Sequence, residues 1–367
     1  MRVLIAPDKF KGSLSARAVA DNIARGVRDV LPDAEIDFAL IADGGEGTAE
    51  AFFASSGGEW VDCNAHDALG RPITARYLWR EKLASAVIEM SEAAGTRRVD
   101  SADRNIMRST TFGVGEIILA AREQGAHEVI LALGGSATND GGFGMARALG
   151  FRFLAGDDVL THGPDELLRL TRIVPPNELR LPRIVGAFDV RNPLLGEHGA
   201  TRVFGEQKGA TVTQSSVLER ALAHLADVAA HDLGTDFRDA VGAGAAGGLG
   251  VGLLTFCRAT LRPGFEFIAA ETGLKARLTS ADIVITGEGK LDVQTLAGKA
   301  PAGISALARQ HSKRVFAIVG QSDSTADQLF ERVFVLAPSA ADQTAAMKNT
   351  PSLLRKRASE LARTLAD

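Results

Sequence analysis

Short apolar runs, glycine-rich polar loops and helical stripes follow one another along the chain. "RVLIAP" reads as a buried strand ended by Pro7, and Ser15 reads as the N-cap of a helix in which Val19, Ile23, Val27 and Val30 recur at helical spacing up to Pro32. "EIDFALIA" predicts a second strand, followed by "DGGEGT" and an alanine-rich helix to about Ser55. Strand, loop and helix repeated in this order predict parallel strands with helical crossovers.

From about Val61 the texture changes. "VDCNAHDALGRPITARYLW" and "ASAVIEM" predict strands joined by turns at Gly70-Arg71-Pro72 and near Lys82. Helix and strand alternate again through "TTFGVGEIILAAREQG", "EVILALGG" and "SATNDGGFGMARALG", then "RIVGAFDV" and a polar helix around Gln214–Ala230. "ADIVITGEG", "RVFAIVG" and "RVFVLAP" resume the parallel-strand pattern, and Leu354, Ala358, Leu361 and Leu365 mark an amphipathic C-terminal helix.

Composition changes this picture in one respect. Of 367 residues, 39 are glycine, and they collect after apolar runs, as backbone-built binding loops do. The 41 basic and 45 acidic residues leave a net charge of −4 with no long like-charge block, which gives nucleic-acid binding no support. Cys63 and Cys257 suit a reducing compartment, the apolar stretch at the N-terminus is too short for a signal peptide, and the cytoplasm is the expected location. The uncharged run Ala240 to Cys257 is crowded with glycines from Gly242 to Gly252 and predicts no membrane helix.

Four loops share one design: "APDKFKGS", "ADGGEGT", "LGGSATNDGG" and "TGEGKLD". Glycines let consecutive N–H groups turn toward one point as an anion nest, and a following helix N-terminus adds its dipole. Together they predict a phosphate or nucleotide site. Lys9, Lys11, Lys290 and Lys299 offer point charges to phosphate oxygens, while Asp8, Asp43, Glu46, Asp140, Asp189, Glu288 and Asp292 supply carboxylates in or beside the loops. Magnesium takes only one or two such carboxylates, so the remaining acids have other roles, capping among them. Asp189 ends a strand and is placed to accept a proton from a substrate hydroxyl.

"GAGAAG" (Gly242 to Gly247) matches the dinucleotide fingerprint in letters, but no convincing strand precedes it. It predicts close backbone packing or another ligand loop. A Walker A motif is absent, because Gly298-Lys299 is followed by Ala300, and neither G-x-S-x-G nor H-E-x-x-H occurs.

In order, "APDKFKGSLSA", "ADGGEGT", "ALGGSATNDGG", "FDVRNPLLG", "FGEQKGA", "GAGAAGGLG" and "TGEGKLDVQTLAGKAP" resemble the signature blocks of bacterial glycerate kinases of the glyoxylate and sugar-acid degradation type. The resemblance runs from Val3 to at least Ala308. Ile106, Glu206 and Lys290 depart from the usual pattern, without removing an acid or glycine on which the reading depends.

The resemblance implies a two-domain α/β fold. One domain is flavodoxin-like, a parallel sheet from both chain ends (1–60 and 282–367), and the other is a mixed α/β domain inserted at 61–281. It also implies ATP-dependent phosphorylation of D-glycerate, usually at the 2-hydroxyl. The expected roles are Asp189 as base, and Lys11 and Lys299 as neutralising charges. Asp43 and Asp292 would contact Mg2+. Asp8, Lys9, Gly44, Gly45, Glu46, Gly47, Gly134, Gly135, Ser136, Thr138, Asn139 and Lys290 would contact phosphate or substrate. Which loop takes ATP and which takes glycerate stays open, as does the oligomeric state. A 3-phosphoglycerate-forming kinase, a nicotinamide dehydrogenase and a non-catalytic sensor are the alternatives.

Overall fold

In a computed structural model, which describes all residues except 11, 297, 298, 338, 340–342 and 367 and leaves the side chains at 294 and 343–345 undescribed, the chain forms two units. The first comprises residues 1–43, 50–56 and 265–367, and the second comprises 44–49 and 57–264.

The first unit is built on Arg2–Pro7, in which Val3, Leu4, Ile5 and Ala6 are all buried. A strand apolar on both faces needs cover on both, which is the habit of a parallel sheet. The strand pairs in parallel with Ile283–Gly287 on one side and Glu35–Phe38 on the other. Arg314–Val319 and Arg332–Val335 extend the sheet beyond Ile283–Gly287, also in parallel. Counted along the chain, the five strands lie in the order 2-1-3-4-5, the flavodoxin-like arrangement. The order reverses between Arg2–Pro7 and Ile283–Gly287, and ligands bind at the carboxyl ends of strands flanking such a reversal.

Ser15 caps the helix Ala16–Arg28 by accepting the Ala18 N–H at 3.3 Å. Val19, Ile23 and Val27 are buried with Leu354, Ala358 and Leu361 of the C-terminal helix Thr350–Ala366. The first helix ends at Arg28 rather than running to Pro32; in the turn that follows, the Val27 carbonyl accepts the Val30 N–H at 3.2 Å as well as the Leu31 N–H at 2.8 Å. "EIDFALIA" also contributes less strand than its pattern predicts. Pairing stops at Phe38, and Ala39 and Ile41 turn into the core beside Leu4. Residues 265–281, within the insertion on the sequence reading, form the helices Gly264–Glu271 and Leu274–Ser280, whose Ala269, Leu274 and Leu278 pack in that same core.

The second unit carries a six-stranded sheet. Thr260–Pro263, Arg183–Phe188, Glu128–Ala132 and Ser85–Glu89 run parallel, and the hairpin Pro72–Arg80 with Glu59–His66 continues it antiparallel. A small antiparallel sheet of Arg152–Ala155, Asp158–Val159 and Arg172–Val174 lies apart from it. The polar helix spans Val212–Leu233 and starts with a capping box formed by Thr211 and Gln214. The glycine-rich run becomes the helix Ala245–Cys257, interrupted by left-handed residues at Ala246, Gly247 and Gly248. It follows the Val212–Leu233 helix and a series of turns instead of a strand, so the setting a dinucleotide fingerprint needs is absent. Among the described residues no helix is long and apolar enough to cross a membrane.

Candidate active site

The first unit gathers charge where its strand order reverses. Asp8 follows Arg2–Pro7 and donates its backbone N–H to the Gly287 carbonyl at 2.8 Å, which ties the two loops together at their origin. Its carboxylate accepts the Lys9 N–H at 2.7 Å. Burial first, and then the neighbouring charge of Asp43, push the Asp8 carboxyl up to about 6.

Glu288 is buried on the other side of the reversal and accepts the Thr295 hydroxyl at 2.7 Å. Burial raises it to about 7, the Thr295 hydrogen bond and Lys299 oppose that rise, and Asp8 and Asp292 add to it. Lys299 also acts on Asp8, so one lysine influences both raised carboxyls. It occupies the N-cap of the helix Ala300–Gln310, with Pro301 in the first turn. Asp292 is paired with Lys290 at 3.3 Å; Lys290 is 62% exposed and Asp292 only 14%. Asp8, Asp43, Glu288, Asp292 and Lys299 thus form one electrostatic cluster. Lys11 lies outside the described residues.

The second unit interlocks two glycine loops. Gly44 (φ +97°) accepts the Gly134 N–H at 3.0 Å, and a Cβ on Gly44 would fall 2.7 Å from the Ala187 carbonyl oxygen. The exposed Asp189 comes two residues after Ala187, at the end of Arg183–Phe188. The structure therefore sets Gly44, Gly45, Gly134 and Asp189 at one end of the six-stranded sheet. Glu46 lies over Gly135, where an added Cβ would meet its carboxylate at 3.0 Å. The N–H groups of Gly47 and Ala49 both go to the buried Glu89, at 2.9 and 3.1 Å, so a protein carboxylate already occupies that part of the nest.

In "LGGSATNDGG", Gly135 is exposed and Gly134 partly so, while the chain sinks inward from Ser136. Thr138 and Asn139 are wholly buried, and the Asn139 amide donates to Thr201 at 3.0 Å. Asp140 accepts from the N–H groups of Thr111, Gly142 and Gly144 and from the Thr111 hydroxyl, which makes it the internal brace of the loop. Burial raises its carboxyl, and these hydrogen bonds oppose the rise.

Glu89, Thr111, Lys208 and Ser91 belong to these surroundings but were not singled out by the sequence. Ser91 and Lys208 are nearly or wholly buried, and Lys208 donates to the Thr138 carbonyl at 2.8 Å. Lys208 lies between the exposed Gln207 and Gly209, so its place in the signature block "FGEQKGA" is the signal that could have marked it. Among the described residues no group of three or more His, Cys, Asp and Glu is arranged to hold a metal ion by itself.

The glycerate kinase family model matches residues 3–366. The glycerate kinase of Bacillus subtilis is 38% identical over 99% of this chain and 97% of its own length. The glycerate 2-kinase of Escherichia coli is 40% identical over 87% of this chain and 85% of its own length. A crystal structure from Salmonella typhimurium LT2, provisionally named glycerate kinase 2, superposes with a TM-score of 0.86 at 40% identity and covers 100% of this chain and 98% of that one. The fold is thus shared with the Salmonella protein, and the chain belongs to the glycerate kinase family, a family of enzymes.

Proposed function

We propose that the protein transfers the γ-phosphoryl group of Mg-ATP to the 2-hydroxyl of D-glycerate, giving 2-phosphoglycerate. The observation that carries this reading is the relationship to the Escherichia coli glycerate 2-kinase over 87% of the chain. Direct in-line transfer leaves the protein to position the reactants and neutralise charge.

Asp189 is the proposed base. It is exposed at a strand end beside two glycine loops, where a carboxylate can accept the hydroxyl proton as transfer proceeds. Lys11 and Lys299 are the proposed counter-charges for the transferring phosphate or the glycerate carboxylate, with Lys9 and Lys290 nearby in sequence. The exposed backbone at Gly134 and Gly135, with Ser136, and the loop from Gly44 to Gly47, are the proposed cradle for phosphate or substrate. Thr138 and Asn139 would support that cradle from inside.

The acid cluster of the first unit fits a divalent cation. Asp8 and Glu288 are raised partly by the charges of Asp43 and Asp292, and a cation would relieve that repulsion. One or two carboxylates with phosphate oxygens and water make an ordinary magnesium site, which needs no cage of three protein ligands. Asp43 and Asp292 are the proposed contacts. When bound, magnesium supplies charge neutralisation at the phosphate oxygens. Cys63 and Cys257 are free thiols, which suits a cytoplasmic setting.

A phosphorus NMR time course with purified protein, Mg-ATP and D-glycerate tests the proposal. A growing 2-phosphoglycerate resonance supports it. A 3-phosphoglycerate resonance keeps the reaction class and moves the transfer to the other hydroxyl. Unchanged glycerate with folded protein removes the substrate and leaves the sensor reading standing.

A further inference from the structure

Lys208 ends the short helical turn Glu206–Lys208 and is 3% exposed. Lysine is almost never buried so far without a partner, because its ammonium group loses its water. The partner here is a backbone atom, the Thr138 carbonyl, to which Nζ donates at 2.8 Å. Burial pushes the lysine down to about 7, while the charge of Asp140 acts in the opposite direction. The amine can donate to a carbonyl in either protonation state.

The same carbonyl is confined by Gly247. Gly247 has φ +68°, and a Cβ there would collide with the Thr138 oxygen. Its own carbonyl accepts the Gly141 N–H at 3.1 Å. "FGEQKGA" and "GAGAAGGLG", the two signature blocks left without a role in the proposed chemistry, therefore close on a single peptide of the "LGGSATNDGG" loop.

That peptide is costly to hold. Thr138 Oγ1 and Asn139 Oδ1 are buried without a hydrogen-bond partner among the described residues. An apolar side chain in place of Lys208 would fill the volume with a smaller desolvation cost. What it would not supply is a donor that fixes the direction of the Thr138 carbonyl.

We propose that Lys208 is a positioning residue. By pinning the Thr138 carbonyl against Gly247, it sets the orientation in which Gly134, Gly135 and Ser136 meet substrate, without itself touching substrate. The proposal rests on the reading that this loop binds a phosphate or carboxylate group.

The test compares Lys208→Met, Lys208→Gln and Lys208→Arg in the full chain. Two quantities are read: kcat and KM for ATP and for glycerate, and amide hydrogen exchange of peptides covering 134–142. In Lys208→Met, kcat/KM for at least one substrate is expected to fall tenfold or more. Exchange in 134–142 is expected to rise about tenfold, while Glu128–Ala132 stays protected. Lys208→Gln or Lys208→Arg, which keep a donor, should recover part of both.

Unchanged kinetics with unchanged loop exchange would overturn the proposal. So would a uniform rise in exchange across the unit with unchanged kinetics, which describes a general stabiliser. If Lys208→Met does not fold, the glutamine and arginine variants decide on the same readouts. If the wild type does not phosphorylate glycerate, the proposed function fails, while loop exchange still tests the pin.

Discussion

Gly134 donates its backbone N–H to the Gly44 carbonyl at 3.0 Å, and a Cβ on Gly134 would fall 2.5 Å from the Cα of Gly45. Two loops some ninety positions apart in sequence thus meet backbone to backbone, with no room for a side chain.

Gly134→Ala should therefore cost about 1–3 kcal/mol, the usual penalty for overpacking, and should depress turnover beyond the loss of folded protein. Gly209→Ala is the control: its φ of +92° strains alanine, but nothing lies within 4 Å of the added carbon. Thermal melts with kcat on both variants would separate crowding from backbone strain. Equal effects would mean that the close approach matters little.

Asp189→Asn should lower kcat by roughly 10²–10⁴-fold, the contribution of a positioned base. Because Asp189 is exposed, the melting temperature should hardly move. Near-normal turnover in the folded variant would withdraw its role.

Asp43→Asn and Asp292→Asn should each shift the magnesium dependence of the rate to higher concentration, on the order of tenfold, at saturating ATP. A magnesium titration under steady-state conditions reads this directly. Curves that superpose on the wild type would remove both from metal contact.

Lys208 gives a pH dependence with a defined sign. Its folded value of about 7 lies below the ordinary 10.5, so between those values the unfolded chain holds a proton that the folded chain does not. Stability from this group therefore rises as pH rises from about 7 to 10.5, and is lowest at and below pH 7. The charge facing it is Asp140, which Arg147 also influences. Denaturant titrations at pH 6.5 and 9.5 should show the wild type gaining on Lys208→Met, by on the order of 3 kcal/mol, as pH rises. A pH-independent difference would place the ionisation of Lys208 outside folding.

Much of this was legible in the sequence for a physical reason. Strands such as Arg2–Pro7 and Glu128–Ala132 are buried on both faces, so they appear as unbroken apolar runs between glycine loops. Those loops kept their composition because backbone packing at Gly44, Gly134 and Gly247 requires it. Periodicity could not tell that the helices at 264–280 pack beside Leu4, since an apolar face does not name its partner. Nor could it show that Glu89 takes the N–H groups of Gly47 and Ala49, or that Lys208 finds Thr138. These partners lie tens of residues apart and meet only once the fold has formed. Glu89 and Lys208 look unremarkable in their local windows for that reason.

The pairing of Arg2–Pro7 with Ile283–Gly287 sets a timetable for synthesis. Arg2–Pro7 can meet Glu35–Phe38 early in synthesis, but its other neighbour comes some 280 residues later. Residues 57–264 by contrast hold all six strands of their own sheet. That segment can complete its strand pairing while the C-terminal part is still being translated, and the five-stranded sheet closes late. In the interval the edge of "RVLIAP" that faces 283–287 in the finished sheet has no strand to pair with, and it stays open to chaperones and to misassembly.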